Sequence, residues 1–137
     1  MGKSLKKCIS LALTAVLLLF VCACGKYISS YKAIGLIKTQ TLHGFETSFS
    51  SLDGQLVFKV KKTKKGTEGA IDCFIQVEKG ELWVYYDIFG VKEELAHVKA
   101  GESVDEKRGY VEGGYSVYVI IEATEGTKGK VCIELDN

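Results

Sequence analysis

Apolar and polar residues alternate along most of the chain after residue 42, which is the period of strands that bury one face. Short turn segments rich in glycine, such as Asp53-Gly54 and Lys79-Gly80, interrupt this alternation at regular intervals. The pattern predicts an all-β fold, an antiparallel β-sandwich of about eight strands. The predicted strands cover 45–49, 55–61, 71–77, 82–88, 91–98, 104–108, 115–121 and 131–135.

The first 23 residues follow a different pattern. Lys3, Lys6 and Lys7 make a positive start, and residues 9–23 carry no charge. The apolar run is short for a membrane span, which needs about 20 apolar residues. A charged start, a short apolar segment and a small residue before the end predict a secretory signal helix. The alternative is an uncleaved membrane anchor.

The segment Val21-Cys22-Ala23-Cys24 resembles a bacterial lipobox. The resemblance implies cleavage before Cys24, which would carry a diacylglycerol on its sulfur. Two acyl chains hold a protein stably on a bilayer, whereas one chain binds only marginally. The protein would then be extracytoplasmic and lipid-anchored to the cell membrane. Cys22 departs from the usual small residue, but as the modified residue it would put the bulky Val21 before the cut.

Removing residues 1–23 leaves 114 residues, with 15 Lys and Arg against 17 Asp and Glu, a formal charge of −2. This length suits one domain, and the near-neutral balance gives no reason to expect nucleic acid as a partner. The predicted organisation is a signal peptide at 1–23, a lipidated tether at 24–41 and a sandwich domain at 42–137. The apolar content of the tether leaves two alternatives, packing on the domain or lying at the lipid surface.

Three segments of the domain resemble small jelly-roll sandwiches of bacterial secreted proteins, of the pre-peptidase C-terminal type. They are the stretches 45–49, 77–84 and 113–119. The resemblance implies an accessory or binding module and supplies no catalytic residue. It also implies that Tyr115, which follows two glycines, enters the core.

A candidate contact surface follows from hairpin geometry at Lys79-Gly80. If these are the two loop residues, Cys73, Ile75 and Val77 face the core together with the apolar residues of the next strand. Phe74, Trp83, Tyr85 and Gln76 then meet on the outer face as one aromatic patch. Such a patch suits stacking on sugars or contact with a protein partner. Alternatively, the 25–40 segment covers the patch as a second small core.

The same pairing places acids opposite acids, with Asp72 facing Asp87 and Glu78 facing Glu81. Solvated edge charges are the ordinary interpretation of such pairs, and a calcium ion is the alternative. Alternation also points Cys73 and Cys132 to opposite faces, which disfavours a disulfide between them. A basic run lies at a strand end and in the following loop, where it is either solvated or close to anionic lipid; it comprises Lys59, Lys61, Lys62, Lys64 and Lys65.

Catalytic motifs are not evident. The two histidines, His43 and His97, lie in no recognisable motif or zinc-ligand spacing. The sequence therefore predicts no metal, no cofactor and no enzyme activity. Two functions remain open: a binding module for a protein or glycan, and a structural or accessory envelope lipoprotein without a ligand of its own.

Overall fold

The computed structural model describes residues 27–135. The predicted signal peptide and Cys24 lie outside these residues. Within the described range, no helix has the length and apolarity that crossing a membrane requires.

The described chain is an all-β, antiparallel structure of eight strands, which confirms the predicted fold class. Two of the strands are much longer than the rest, with 18 residues in β3 and 20 in β8. The strands are β1 (Ser30–Ile34), β2 (Ile37–Gln40), β3 (Gly44–Lys61), β4 (Glu68–Lys79), β5 (Glu81–Asp87), β6 (Glu93–Lys99), β7 (Ser103–Glu112) and β8 (Ser116–Leu135).

Strands β3 and β8 pair along their whole length and run through both layers of the sandwich. The register shifts between Phe49 and Gly54, and there the two strands bend together. Layer A contains β2, the first half of β3, the second half of β8, β4 and β7. Layer B contains β1, the second half of β3, the first half of β8, β5 and β6.

The bend makes the two ends of the sandwich different. At the end opposite the bend, the Lys61 amide donates to the Leu42 carbonyl at 2.8 Å, so both ends of β3 meet there. We call this the loop end, because the connections 62–67, 88–92 and 113–115 gather at it. The bend end carries the short connections 35–36 and 100–102 and the single residue Gly80 between β4 and β5.

The core fills the space between the layers with the residues that alternation assigned to it. Cys73, Ile75 and Val77 on β4 are at most 3% exposed, and so are Leu82 and Val84 on β5. The rings of Phe45 in layer A and Phe58 in layer B stack with centroids 3.8 Å apart. Burying each large aliphatic side chain contributes about 1.5–3 kcal/mol, so this shared core holds the layers together.

The strand count of eight agrees with the prediction, but the strands are not the same ones. The predicted strands 45–49 and 55–61 are halves of β3, and 115–121 and 131–135 are halves of β8. The remaining two strands, β1 and β2, come from the segment interpreted as a tether, which pairs with β3. From Ser30 onward, therefore, that segment is part of the sandwich.

The predicted β4–β5 hairpin is wrong. Strand β4 pairs with β7 and β8, whereas β5 pairs with β6 and β8. Two-residue hairpin turns need a positive φ at the first loop residue. The first residue of the predicted loop is Lys79. Among the described residues only glycines have positive φ, so Gly80 has it (φ 80°) and Lys79 does not, and the requirement is not met. The chain therefore crosses from layer A to layer B at this point.

Candidate functional site

The four residues of the predicted patch are divided between the layers. Phe74 and Gln76 lie on the outer face of layer A, where β4 pairs with β8. Trp83 and Tyr85 lie on the outer face of layer B. The single patch of Phe74, Gln76, Trp83 and Tyr85 does not form, because the hairpin that would join them is absent.

The outer face of layer B nevertheless collects aromatic side chains from three strands. His97 on β6 is the registered neighbour of Trp83, and their rings stack with centroids 4.6 Å apart and planes 8° apart. Tyr85 follows two residues along β5, and Tyr118 comes from β8. We call the surface formed by Trp83, Tyr85, His97 and Tyr118 the aromatic face.

Polar side chains surround these rings. Glu81 contacts His97 Nε2, which supports the imidazole stacked on Trp83. The Lys92 ammonium lies 4.3 Å from the Tyr85 ring centroid and donates to Glu122 at 2.7 Å. Burial, and then the Glu122 carboxylate, raise the pKa of Tyr85, so its hydroxyl stays protonated at neutral pH. The aromatic face thus offers flat rings beside hydrogen-bonding groups.

A small apolar centre lies beneath the aromatic face. Ile120 points outward from β8, between Val57 and Tyr85, and is fully buried. At the loop end of the same face, the Tyr27 hydroxyl donates to Asp87 Oδ2 at 2.5 Å, and the Tyr27 ring packs 5.6 Å from that of Tyr118. The N-terminal segment therefore covers one end of the aromatic face and leaves the Trp83–His97 pair at the other.

The loop end carries a groove of about 580 Å³ between the 62–67 loop and the β7–β8 turn. The loop and the turn are joined by two backbone hydrogen bonds, from Gly113 to Thr67 at 2.8 Å and from Gly114 to Lys62 at 2.6 Å. Tyr115, expected in the core, lies here half-exposed, with its ring edge-on to Phe89 at 5.1 Å. The tight turn projects Tyr115 away from the sandwich, which is why that expectation is wrong.

The wall of the groove is acidic on the β4–β7 side. The Tyr110 hydroxyl donates to Glu112 at 3.1 Å, and its hydrogen bond with Glu68 is the largest cause of its raised pKa. The Tyr110 hydroxyl stays protonated at neutral pH and has one proton to share between the carboxylates of Glu68 and Glu112.

The two cysteines follow the predicted parity, and both are free. Cys73 faces the core, and burial raises the pKa of its thiol to about 12. Cys132, the registered neighbour of Phe74, points outward, and burial also raises the pKa of its thiol. Neither thiol is therefore appreciably ionised at neutral pH, and neither is a ready nucleophile.

The predicted acid pairs are absent, because they depended on the same hairpin. Asp72 lies 3.9 Å from the Lys107 ammonium, and Glu78 forms an ion pair with Lys128 at 3.0 Å. Asp87 is buried, with Tyr27 and the Gly90 amide as donors. Between residues 27 and 135 no group of three or more His, Cys, Asp or Glu side chains is arranged to hold a metal ion.

Sequence reasoning missed His97, Tyr118 and Tyr27 as members of this surface. A signal for His97 was present: a β5–β6 hairpin through the 88–92 connection places it opposite Trp83. The alternation of apolar and polar residues is weak in β6, because a bulge turns the side chains of two consecutive residues, Leu95 and Ala96, into the core. Tyr27 had no comparable signal, since its contact with Asp87 spans 60 residues.

Comparison with known protein families finds no match, and comparison with curated proteins finds none either. Several solved structures are weakly similar. A family 29 carbohydrate-binding module solved with mannohexaose has a TM-score of 0.40 and 11% identity, over 77% of each chain. The CENP-C cupin domain of Drosophila melanogaster has a TM-score of 0.30 and 17% identity, over 76% of this chain and 75% of its own.

A third structure is the hydroxypropylphosphonic acid epoxidase of S. wedmorenis, with a TM-score of 0.31 and 15% identity. The alignment covers 80% of this chain and 59% of the epoxidase. These scores describe a distant likeness in the arrangement of strands and assign no activity to this chain.

Proposed function

We propose that this chain is an extracytoplasmic, lipid-anchored and non-catalytic binding module that holds a glycan on its aromatic face. The observation that carries the proposal is the Trp83–His97 stack, with ring planes 8° apart, on the outer face of layer B. Tyr85 continues this surface along β5. Outward residues two apart on a strand are about 7 Å apart, so Trp83 and Tyr85 form an aromatic row along β5, which we call the platform.

The chemistry of the platform suits a polyhydroxylated chain. Sugar rings have apolar C–H faces that pack on aromatic rings, and hydroxyl groups at their edges that need hydrogen-bond partners. Glu81, Lys92 and Glu122 supply carboxylate and ammonium groups beside the rings. Because carboxylates and an ammonium group both lie beside the platform, it favours hydroxyl groups over a ligand of strong single charge.

A glycan array with the mature protein tests the aromatic face. We expect Trp83→Ala to lower the affinity for the bound glycan about tenfold, because a stacked aromatic contributes about 0.5–1.5 kcal/mol beyond its buried area. Phe74→Ala is the matched control, since Phe74 is a half-exposed aromatic of layer A. Equal losses in the two variants, or no loss in Trp83→Ala, would contradict the assignment.

The anchor is proposed on the lipobox-like sequence before Cys24. Labelling of cells with a radioactive fatty acid should mark the protein, and Cys24→Ala should abolish the label. Cys22→Ala is the control and should keep it, because cleavage would remove residue 22. A label that persists in Cys24→Ala rules out Cys24 as the lipidated residue.

A second candidate function is an accessory envelope lipoprotein without a ligand. The observation in its favour is that each ring already has a partner from its own chain: Trp83 has His97, Tyr85 has Lys92, and Tyr118 has Lys59 at 5.7 Å. In this case the aromatic face is a small outer core. Trp83→Ala would then lower the melting temperature, and the wild-type protein would bind no glycan on the array.

A further inference from the structure

The N-terminal segment leads toward the loop end of the sandwich. Ser29 Oγ accepts a hydrogen bond from the Val57 amide at 2.9 Å, and Tyr27 reaches Asp87 at the end of β5. The chain is thus attached to layer B up to Tyr27. Cys24 is three residues earlier, and three residues span about 10 Å when fully extended. A lipid on Cys24 would place the bilayer close to this end.

The loop end exposes large apolar side chains. Phe89 is 56% exposed, Val91 is 65% exposed and Tyr115 is 48% exposed. Phe89 and Tyr115 touch each other, although they come from different connections between strands. A cluster of exposed apolar side chains of this kind indicates a contact surface. Aromatic rings of this size are also enriched at membrane interfaces, where part of the ring stays hydrated.

Basic residues lie beside this cluster. Lys64 and Lys65 are exposed in the 62–67 loop, and the Lys65 side chain lies next to Gly114, the neighbour of Tyr115. Three acids of the loop end, Glu68, Glu93 and Glu112, lie on the β4–β7 and β6 side and are hydrogen-bonded to tyrosine hydroxyls, those of Tyr110 and Tyr86. The exposed Lys64 and Lys65 supply positive charge in the 62–67 loop itself, which anionic lipid headgroups attract.

We propose that the loop end is a docking surface for an anionic phospholipid bilayer. Phe89, Val91 and Tyr115 enter the interfacial region of the membrane, and Lys64 and Lys65 contact lipid phosphates. This proposal rests on the proposed lipid anchor at Cys24. The strands then stand away from the membrane, so the aromatic face is turned sideways and is open to a ligand.

The test measures the depth of two reporter tryptophans in the acylated mature protein, reconstituted in vesicles of anionic and zwitterionic phospholipid. Both reporters are placed in a Trp83→Phe background, which removes the single native tryptophan. Phe89→Trp reports on the loop end. Ile34→Trp is the matched control, because Ile34 is 71% exposed and lies near the bend end. Lipids that carry a quencher near the headgroup measure the depth.

We expect the quencher to act roughly threefold more strongly on Phe89→Trp than on Ile34→Trp, because interfacial side chains lie about 5–10 Å deep. In the unsubstituted protein, vesicles should also protect Lys64 and Lys65 from amine acetylation, but not Lys99 near the bend end. Equal quenching of the two reporters in an acylated, vesicle-bound protein would overturn the docking surface and leave the anchor intact. A protein without lipid at Cys24 would overturn both.

Discussion

Tyr27 is the residue that connects the N-terminal segment to the aromatic face. Its hydroxyl donates to the buried carboxylate of Asp87, which also accepts from the Gly90 amide at 2.6 Å. The hydrogen bond therefore links the start of the described chain to the loop that carries Phe89. A neutral donor to a buried carboxylate contributes more than an exposed pair does, because the carboxylate has been removed from water.

Tyr27→Phe should lower the free energy of unfolding by about 1–2 kcal/mol, because it leaves a buried carboxylate with one donor fewer. Chemical denaturation followed by circular dichroism measures the change. Tyr31→Phe is the control, since the Tyr31 hydroxyl lies in an exposed hydrogen bond with Lys38 Nζ, at 3.3 Å. Equal effects of the two substitutions would contradict the role given to Asp87.

Gly80 is the residue at which the chain passes from β4 to β5, and hence from one layer to the other. A Cβ at this position would lie 2.8 Å from the Cα of Thr127, in the bend of β8. Thr127 is itself fully buried, and its hydroxyl donates to the Thr124 carbonyl at 2.6 Å. The two backbones therefore approach closely where the chain leaves β4, beside β8, with which both β4 and β5 pair.

Gly80→Ala should be more destabilising than Gly126→Ala, although both glycines have φ near 80°. Both substitutions carry the backbone penalty of about 1–2 kcal/mol for a side chain in the left-handed region. Only at Gly80 does the new methyl group also meet backbone atoms, since nothing lies within 4 Å at Gly126. Thermal unfolding of the two variants compares the effects, and equal melting temperatures would show that the Thr127 contact is unimportant.

The elements show which parts of the fold a sequence pattern can predict. Alternation placed Ile75, Val77, Leu82 and Val84 in the core correctly, because the two-residue period of a strand is a local property. Pairing between strands is not local, so alternation alone does not predict it. The predicted β4–β5 hairpin does not form, and its first loop residue Lys79 does not adopt the positive φ that a two-residue turn needs. The candidate patch was deduced from that hairpin, so its residues are divided between the two layers.

Strands β1 and β2 were not predicted, for a different reason. Apart from Ala33, which is partly buried, every residue of the two strands is exposed. An edge strand with both faces in water leaves no alternation in its sequence. At the bends of β3 and β8 the alternation breaks near Gly54 and Gly126, so the pattern predicts two separate strands, one on either side of each bend. The strand pairing shows that both segments lie within continuous strands.

At the scale of the molecule, the two proposals assign different tasks to different surfaces. The loop end carries exposed apolar groups and lysines close to the proposed anchor. The aromatic face lies along the side of layer B, with Trp83 and His97 toward the bend end and Tyr118 toward the loop end. In this orientation, a docked sandwich would present Trp83 and His97 away from the bilayer.

The measurement that most directly tests glycan binding is the fluorescence of Trp83 during titration. Trp83 is the only tryptophan in the chain, so its emission reports on the aromatic face alone. Soluble mannan, xylan and cellulose oligosaccharides and peptidoglycan fragments serve as probes. We predict that at least one probe shifts the emission to shorter wavelength and saturates, and that His97→Ala weakens the response. Emission that stays unchanged with every probe, while the protein remains folded by circular dichroism, would contradict the account.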